Sequence, residues 1–277
     1  MSQPPSDAEL ERAALYALGA LSPDEADGVV ADAASGTGTD AVTAMREVAA
    51  ALALGTPGPR PPSSLRARLL ERVDRETYWF SLAADAAWET AGDGVAIRRL
   101  HPDRLAGRLV RLDAGASWLA ASDGMEQWYV VSGAVVTDGE QLESGDARLI
   151  AASEPVRARV AAVAFVVPLG PADGRASESV RAGQPAPLSL GRGVEGRALG
   201  TDATGQVQCL WLTMAPGSAV FDHDHAGAEE LFMLAGDCRC HGRVIGAGDY
   251  HRAEARSRHG VTSTVGGCTM LVVSRAA

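Results

Sequence analysis

Two stretches of this chain repeat each other, and that repeat limits the fold more than any other feature. Residues 109–116 (LVRLDAGA) parallel 210–218 (LWLTMAPGS), 126–133 (EQWYVVSG) parallel 229–236 (EELFMLAG), and Gly145-Asp146 parallels Gly248-Asp249. Order and spacing agree with one residue deleted. A period of about 100 residues is too long for a solenoid, so duplication of a whole domain is the simpler reading. Each copy is made of short alternating runs broken by Gly and Asp, the pattern of many small antiparallel strands closing into a barrel or sandwich. The stretch 168–187 (PLGPADGRASESVRAGQPAP) is rich in Gly, Pro and Ser and reads as the linker between them.

The first part of the chain, to about Phe80, has a helical period instead. Ser6 and Glu9 have capping-box spacing before Leu10, Ala13, Ala14, Ala17 and Leu18. Ser22 caps a second helix with Pro23 at its first position and Glu25 three residues after the cap. A third helix carries Val42, Met45, Val48, Ala49 and Leu52 on one face, and the run 55–62 (GTPGPRPP) ends it. Ser63 or Ser64 then caps a fourth, with Leu65, Leu69, Leu70 and Val73 as its apolar face. The expected organisation is therefore multidomain, α followed by all-β: a small helical bundle at 1–80, then antiparallel β-barrels at 81–172 and 173–277.

Composition narrows the function. No apolar run approaches the ~20 residues of a membrane span, and the opening MSQPPSDAEL has no basic, apolar leader, so the expectation is a cytoplasmic protein away from the membrane. A net charge of -10 disfavours direct nucleic-acid binding, which needs clustered cations, and suits a basic protein partner. Cys209, Cys238, Cys240 and Cys268 show no zinc-finger spacing and read as reduced thiols.

Five of the 6 histidines crowd into the second β segment: His223, His225, His241, His251 and His259. In a strand, residues two apart face the same side, so His223 and His225 converge, and the turn 226–228 returns Glu229 beside them. His259 comes later in a strand of the same barrel and completes the set from across the pocket. An HxH pair alone is ordinarily surface or core. In register with Glu229, Gly217, Gly236 and His259 it reads as a metal set, and three imidazoles with one carboxylate suit Zn, Fe, Mn, Ni or Cu. Of the remaining candidates, His251 is expected in a supporting or surface role and His241 facing solvent. Glu230 is expected exposed on the opposite face, and Cys238 and Cys240 as buried small hydrophobes sharing a face, with a redox pair as the rarer reading.

Gly217-x5-His223-x-His225-x3-Glu229-x6-Gly236 resembles the first motif of the cupins, with no departure in spacing. Gly248, Glu254, Arg256 and His259 resemble the second more loosely, since cupins usually carry Pro and Gly in place of Glu254 and Arg256. The resemblance implies a double-stranded β-helix barrel holding one divalent ion. In the first copy the ligand positions fall on Ala121, Asp123, Glu126 and Val156, so that copy is expected to bind no metal, with Trp118 and Trp128 available to line a pocket.

The N-terminal run 15–30 (LYALGALSPDEADGVV) and the later SLRARLLERV resemble the helical domain of zinc-associated bacterial anti-sigma factors. That family's His-x3-Cys-x2-Cys would fall on Asp32, Gly36 and Thr39, which implies a zinc-free version held by apolar packing alone. Helical domain and cupin together resemble the ChrR-like anti-sigma factors. The resemblance implies an extracytoplasmic-function sigma factor as partner and zinc in the C-terminal cupin, with Fe, Mn or Ni as alternatives. It also implies release on an oxidative or ligand signal, and pairing of cupins into homodimers. Leu15, Leu18, Val48, Leu52, Leu65 and Leu69 would pack the bundle and shape the sigma-binding groove. The rival readings are a metal-dependent, dioxygenase-like cupin enzyme, for which no further acid, base or substrate-binding Arg stands out, and a ligand sensor without a sigma partner.

Overall fold

The protein is described by a computed structural model covering residues 5–34, 38–55, 62–85, 87–119, 124–151, 153–170, 177–184, 186–201 and 207–275. It is mostly β, with four α-helices at the N-terminal end, and it divides into two compact units, Met1–Arg66 and Ala67–Ala277.

The first unit holds α1 (Asp7–Ala17), α2 (Pro23–Ala34) and α3 (Thr39–Gly55); α4 (Leu65–Thr77) begins at its end. Both helix starts use the same device. The Ser6 backbone N–H donates to Glu9 at 2.8 Å and the Ser22 N–H to Glu25 at 2.9 Å, so each acidic side chain reaches back to the cap that precedes it. The interior is made by small residues, Ala13, Val29 and Ala41. This corrects the packing expected from the sequence: Leu15, Leu18, Val48 and Leu52 stand exposed, as does Leu69 on α4, and the small side chains of Ala13, Val29 and Ala41 take the buried positions of the first unit instead. Apolar contact is also not alone. Asp32, one of the three positions aligned with the lost zinc ligands, receives a 2.8 Å ion pair from Arg12 and so joins α2 to α1. Gly36, another of those positions, lies outside the described residues.

The helical period of the sequence extends to Phe80, but Tyr78–Ser81 is a strand. It pairs with Tyr250–Ala253 at the far end of the sequence. Tyr78, Trp79 and Phe80 are aromatic residues that favour a half-buried pleated surface over a helix.

Among the described residues the second unit contains two large antiparallel sheets and a two-stranded one. In space the first runs Glu178–Val180, Ala147–Ala151, Met125–Thr137, Val156–Gly170, Arg108–Leu112, Val95–Arg99, Glu89–Gly92. The second runs Tyr78–Ser81, Tyr250–Ala253, Glu229–Cys240, Cys268–Ser274, Val207–Met214, Val194–Thr201, Leu188–Gly191. The two orders match strand for strand, and the repeated sequence makes the same contacts in each. The Asp146 carboxylate accepts from Glu143 N–H at 2.9 Å, as the Asp249 carboxylate accepts from Gly246 N–H at 2.8 Å. Gly133 and Gly236 both have positive φ (79° and 68°), and a Cβ on either would lie 2.1 Å from a carbonyl oxygen of the neighbouring strand. Only glycine fits there. The edge strands are exchanged: the segment before the first sheet edges the second, and the segment before the second edges the first. Asp249 and Asp146 then accept from the backbone just past those strands, Ala83 N–H at 2.7 Å and Ala182 N–H at 2.9 Å.

Each sheet has its own core, one around Trp128, Val130, Leu142 and Val166 and one around Met214, Met233, Ile245 and Met270. A third cluster lies between the sheets and includes Phe165 stacked on Phe232 at 5.0 Å.

Candidate metal centre

The four residues singled out in the sequence come together beside the second sheet. His223–Asp224 pairs with Arg258–His259 in a short ladder that sets His223 directly opposite His259, and Glu229 opens the long strand Glu229–Cys240. The ring centroids of His223 and His225 are 4.7 Å apart, and His259 lies 5.4 Å from the first and 5.3 Å from the second. Donor atoms of His223, Glu229 and His259 all fall within 4.8 Å of one another. His225 joins through Nε2, 3.5 Å from Glu229 Oε1.

The electrostatics suit a cation. Burial holds His225 at about 4, with His223 and His241 adding to it, and burial with the surrounding rings holds His259 at about 3. These imidazoles are therefore neutral and carry a lone pair at neutral pH. Burial pushes the Glu229 carboxyl up to about 7, against the pull of His223. Neither ring nitrogen of His225 makes a hydrogen bond among the described residues, although the residue is 8% exposed. An unpaired buried polar atom costs about 1–3 kcal/mol. A divalent ion among these donors would answer the orphaned Nε2 of His225 and the buried carboxyl, and the residues fit one.

Beside these side chains is a cavity of about 300 Å³, lined by Leu210, Leu212, Met214, Leu231 and Met270 with His223, Glu229 and His259 on its wall. It is almost wholly apolar apart from the candidate ligands. An oily molecule with one polar end could reach the metal position through it.

Two neighbouring residues differ from expectation and a third takes one of the two roles expected of it. Glu230 does face away from His225 and Glu229, but that side is covered by the first sheet and Glu230 is 0% exposed. It accepts from Gly107 N–H at 2.6 Å, Tyr250 hydroxyl at 2.8 Å and Arg275 Nε at 2.7 Å. His241 is half-buried and stacks on Tyr78 at 3.7 Å, where the sequence suggests solvent. His251, expected in a supporting or surface role, is fully buried, with Phe80 stacked on it at 4.4 Å. All three are covered from far along the chain: the covering groups come from residues 78–80 and 107, more than 100 positions away. Cys238 and Cys240 are buried as expected, Cys238 against Met233 Sδ at 3.8 Å and Cys240 against His259 Nε2 at 3.4 Å.

In the first sheet Glu126 is paired with Arg108, whose guanidinium supplies the positive charge there, and it accepts from Trp128 Nε1 at 3.0 Å. The Trp128 ring is part of the packed core, 1% exposed, so it fills the interior instead of lining a pocket. Val156, at the fourth ligand position, is equally buried, while Ala121 and Asp123 lie outside the described residues.

Residues 179–277 match the family model described as the ChrR cupin-like domain, which takes in every residue of the candidate centre. No curated protein matches the chain. Among solved structures, a putative dioxygenase from Nostoc punctiforme is similar with a TM-score of 0.56 at 15% identity, over 72% of this chain and 82% of that one. The E. coli protein Ylba gives 0.54 and 14%, over 71% of this chain and 90% of its own. A Lactobacillus farciminis oxalate decarboxylase in a formate complex gives 0.53 and 14%, over 72% and 86%. At such identity the likeness establishes the fold: the β part of the chain is cupin-like. Among the described residues no helix is long and apolar enough to cross a membrane.

Proposed function

We propose that this chain is a ChrR-like anti-sigma factor in which His223, His225, Glu229 and His259 hold one divalent ion, zinc by preference. The helical segment sequesters an extracytoplasmic-function sigma factor, and the state of the cupin centre sets how tightly. On this reading the chain is a helical domain (1–80), a cupin that has lost its metal (81–172) and a metal-binding cupin (173–277).

The observation that carries the proposal is the continuity between helix and centre. α4 runs without a break into Tyr78–Ser81, and that strand touches the histidine cluster residue by residue. Tyr78 stacks on His241, Trp79 carbonyl lies 3.0 Å from His251 Nδ1, and Phe80 stacks on His251. A change at His259 therefore reaches the end of a helix through His241 and His251, whose rings lie 4.7 and 5.4 Å from it. Leu69, Leu70 and Val73 on that helix are exposed, as are Leu18, Val48 and Leu52 on α1 and α3. Exposed apolar residues of this number are what a protein partner covers. A switch needs its signal to favour one state over the other by a few kcal/mol.

The test is metal content and sigma binding of the full chain. We expect about one zinc per chain, lost in His223→Ala, and co-purification with an extracytoplasmic-function sigma factor of the same host that weakens when the metal is stripped. A chain that holds no divalent ion, or that captures no sigma factor with or without metal, refutes the reading. The apolar cavity against the centre favours a second reading, a cupin enzyme acting on an oily substrate, in which the ion would supply Lewis-acid or oxygen-activating chemistry. Bound iron with oxygen uptake on addition of substrate would select it.

A further inference from the structure

A second group of donors lies on the other side of His259. Cys240, His241, His251 and His259 each offer one ligand atom, and all four atoms lie within 4.8 Å of one another. Ring centroids are 4.7 Å apart for His241 and His259, 5.5 Å for His241 and His251, and 5.4 Å for His251 and His259. We propose that these four residues form a second metal site, holding a zinc-class ion through one thiolate and three imidazoles, and that it competes with the first site for the shared His259.

The separation of the Cys240 thiol from the His259 imidazole suits a tetrahedral site. Zn–S near 2.3 Å and Zn–N near 2.0–2.1 Å place sulfur and nitrogen about 3.6 Å apart across a tetrahedral angle. Cys240 Sγ and His259 Nε2 are 3.4 Å apart. His251 is arranged as metal-ligating histidines usually are. Its Nδ1 lies 3.0 Å from the Trp79 carbonyl, so Nδ1 carries the proton and Nε2 the lone pair. That Nε2 is fully buried and has no hydrogen-bond partner among the described residues. Packing alone does not account for it, because a core ring with an orphaned nitrogen costs stability that a carbon ring would not.

The turn that presents His241 is a further sign. His241 and Gly242 have φ of 45° and 74°, the pair of left-handed residues of a type I′ hairpin. The corresponding hairpin of the first sheet has Asp138 and Gly139 at 46° and 74°, the ordinary Asp-Gly choice. In the second sheet a histidine takes the strained position, and Tyr78 stacks on it to fix the ring toward His259. The donor set is softer than the first, since a thiolate replaces the carboxylate, and it favours zinc-class over oxygen-loving ions. Binding displaces the Cys240 thiol proton to solvent.

His259 decides the relation of the two sites. Its Nδ1 sits 3.3 Å from Thr262 Oγ1, which leaves Nε2 as the donor, and one nitrogen serves one ion at a time. The sites are thus alternatives for a single ion. An ion that moves between them changes which neighbours of Tyr78–Ser81 it grips.

The inference rests on the proposed function only for the identity of the first site, and cobalt separates the two. The full chain, stripped of metal, is titrated with Co(II) and followed by absorption for the near-ultraviolet thiolate-to-cobalt charge-transfer band. In His223→Ala/Glu229→Gln, which removes the first site, we expect one cobalt per chain with the thiolate band. Adding Cys240→Ser should abolish both band and binding. His225→Ala/Glu229→Gln is the companion background, and far-ultraviolet circular dichroism confirms that each variant folds. Folded double variants that bind no cobalt, or bind it without the thiolate band, overturn the second site. The first site is tested separately by Cys240→Ser alone, which should still bind one cobalt, without the band.

Discussion

Replacing Glu230 by Gln tests how the two sheets are joined. One carboxylate oxygen accepts from the Gly107 N–H and the Tyr250 hydroxyl, and the other accepts from Arg275 Nε with Arg252 at 3.6 Å. Gly107 belongs to the loop before Arg108–Leu112 of the first sheet, so a single buried side chain ties that loop to the second sheet. An amide cannot accept at both ends. If its nitrogen takes the Gly107 side, two donors are left unpaired at about 1–3 kcal/mol each. In either orientation two guanidinium groups lose a buried counter-charge, which costs about 3–5 kcal/mol. The predicted loss is therefore at least about 3 kcal/mol, a large share of a domain's stability. Urea unfolding followed by tryptophan fluorescence should show a sharply lower midpoint, with the slope unchanged. A loss below about 1 kcal/mol would mean that Glu230 is solvated and that the covering of one sheet by the other is wrong.

Further consequences can be checked independently. Gly133→Ala and Gly236→Ala should each cost roughly 2–5 kcal/mol, from left-handed backbone plus overlap with a carbonyl, and the two costs should be alike if the sheets are true copies. Arg12→Ala should lower the stability of the helical unit by less than about 1 kcal/mol, because both partners of the Asp32 pair are half exposed, and the difference should fade in high salt. The four cysteines are buried, and burial pushes the Cys209 thiol up to about 12. None should react quickly with a disulfide reagent in the native chain, and all should react after unfolding; a fast native thiol would contradict the buried positions. Chelation should lower the melting temperature of the wild type but not of a variant lacking both candidate metal sites. By linkage the stabilisation is about 2.7 kcal/mol when free metal is a hundredfold above its dissociation constant.

Features that depend on residues close together in the chain are legible in the sequence. The spacing of His223, His225 and Glu229 is local, the strand period fixes which side chains converge, and the turn that returns Glu229 is three residues long, so those side chains can be grouped in advance, and they lie together. The capping box of α1 and the Ser22–Glu25 contact that opens α2 are local in the same sense. Tyr78–Ser81 is not legible because its partner strand begins about 170 residues later, and only that pairing decides whether three aromatic residues continue a helix or start a strand. The same long-range pairing hides the surroundings of His241 and His251, since the strand that covers them arrives from the other end of the sequence. Glu230 is misleading because a charged residue on the outward face of a sheet is ordinarily solvated, yet here that face meets the other sheet. The outward face of Glu229–Cys240 is where they meet, with Phe232 against Phe165 and Glu230 against Gly107. The exchange of edge strands joins the two further: each sheet is edged by the segment that precedes the other, so neither can be cut free without opening a sheet edge. The segment that edges the second sheet is the one that continues from α4, so His241 and His251 lie against residues that follow directly on that helix.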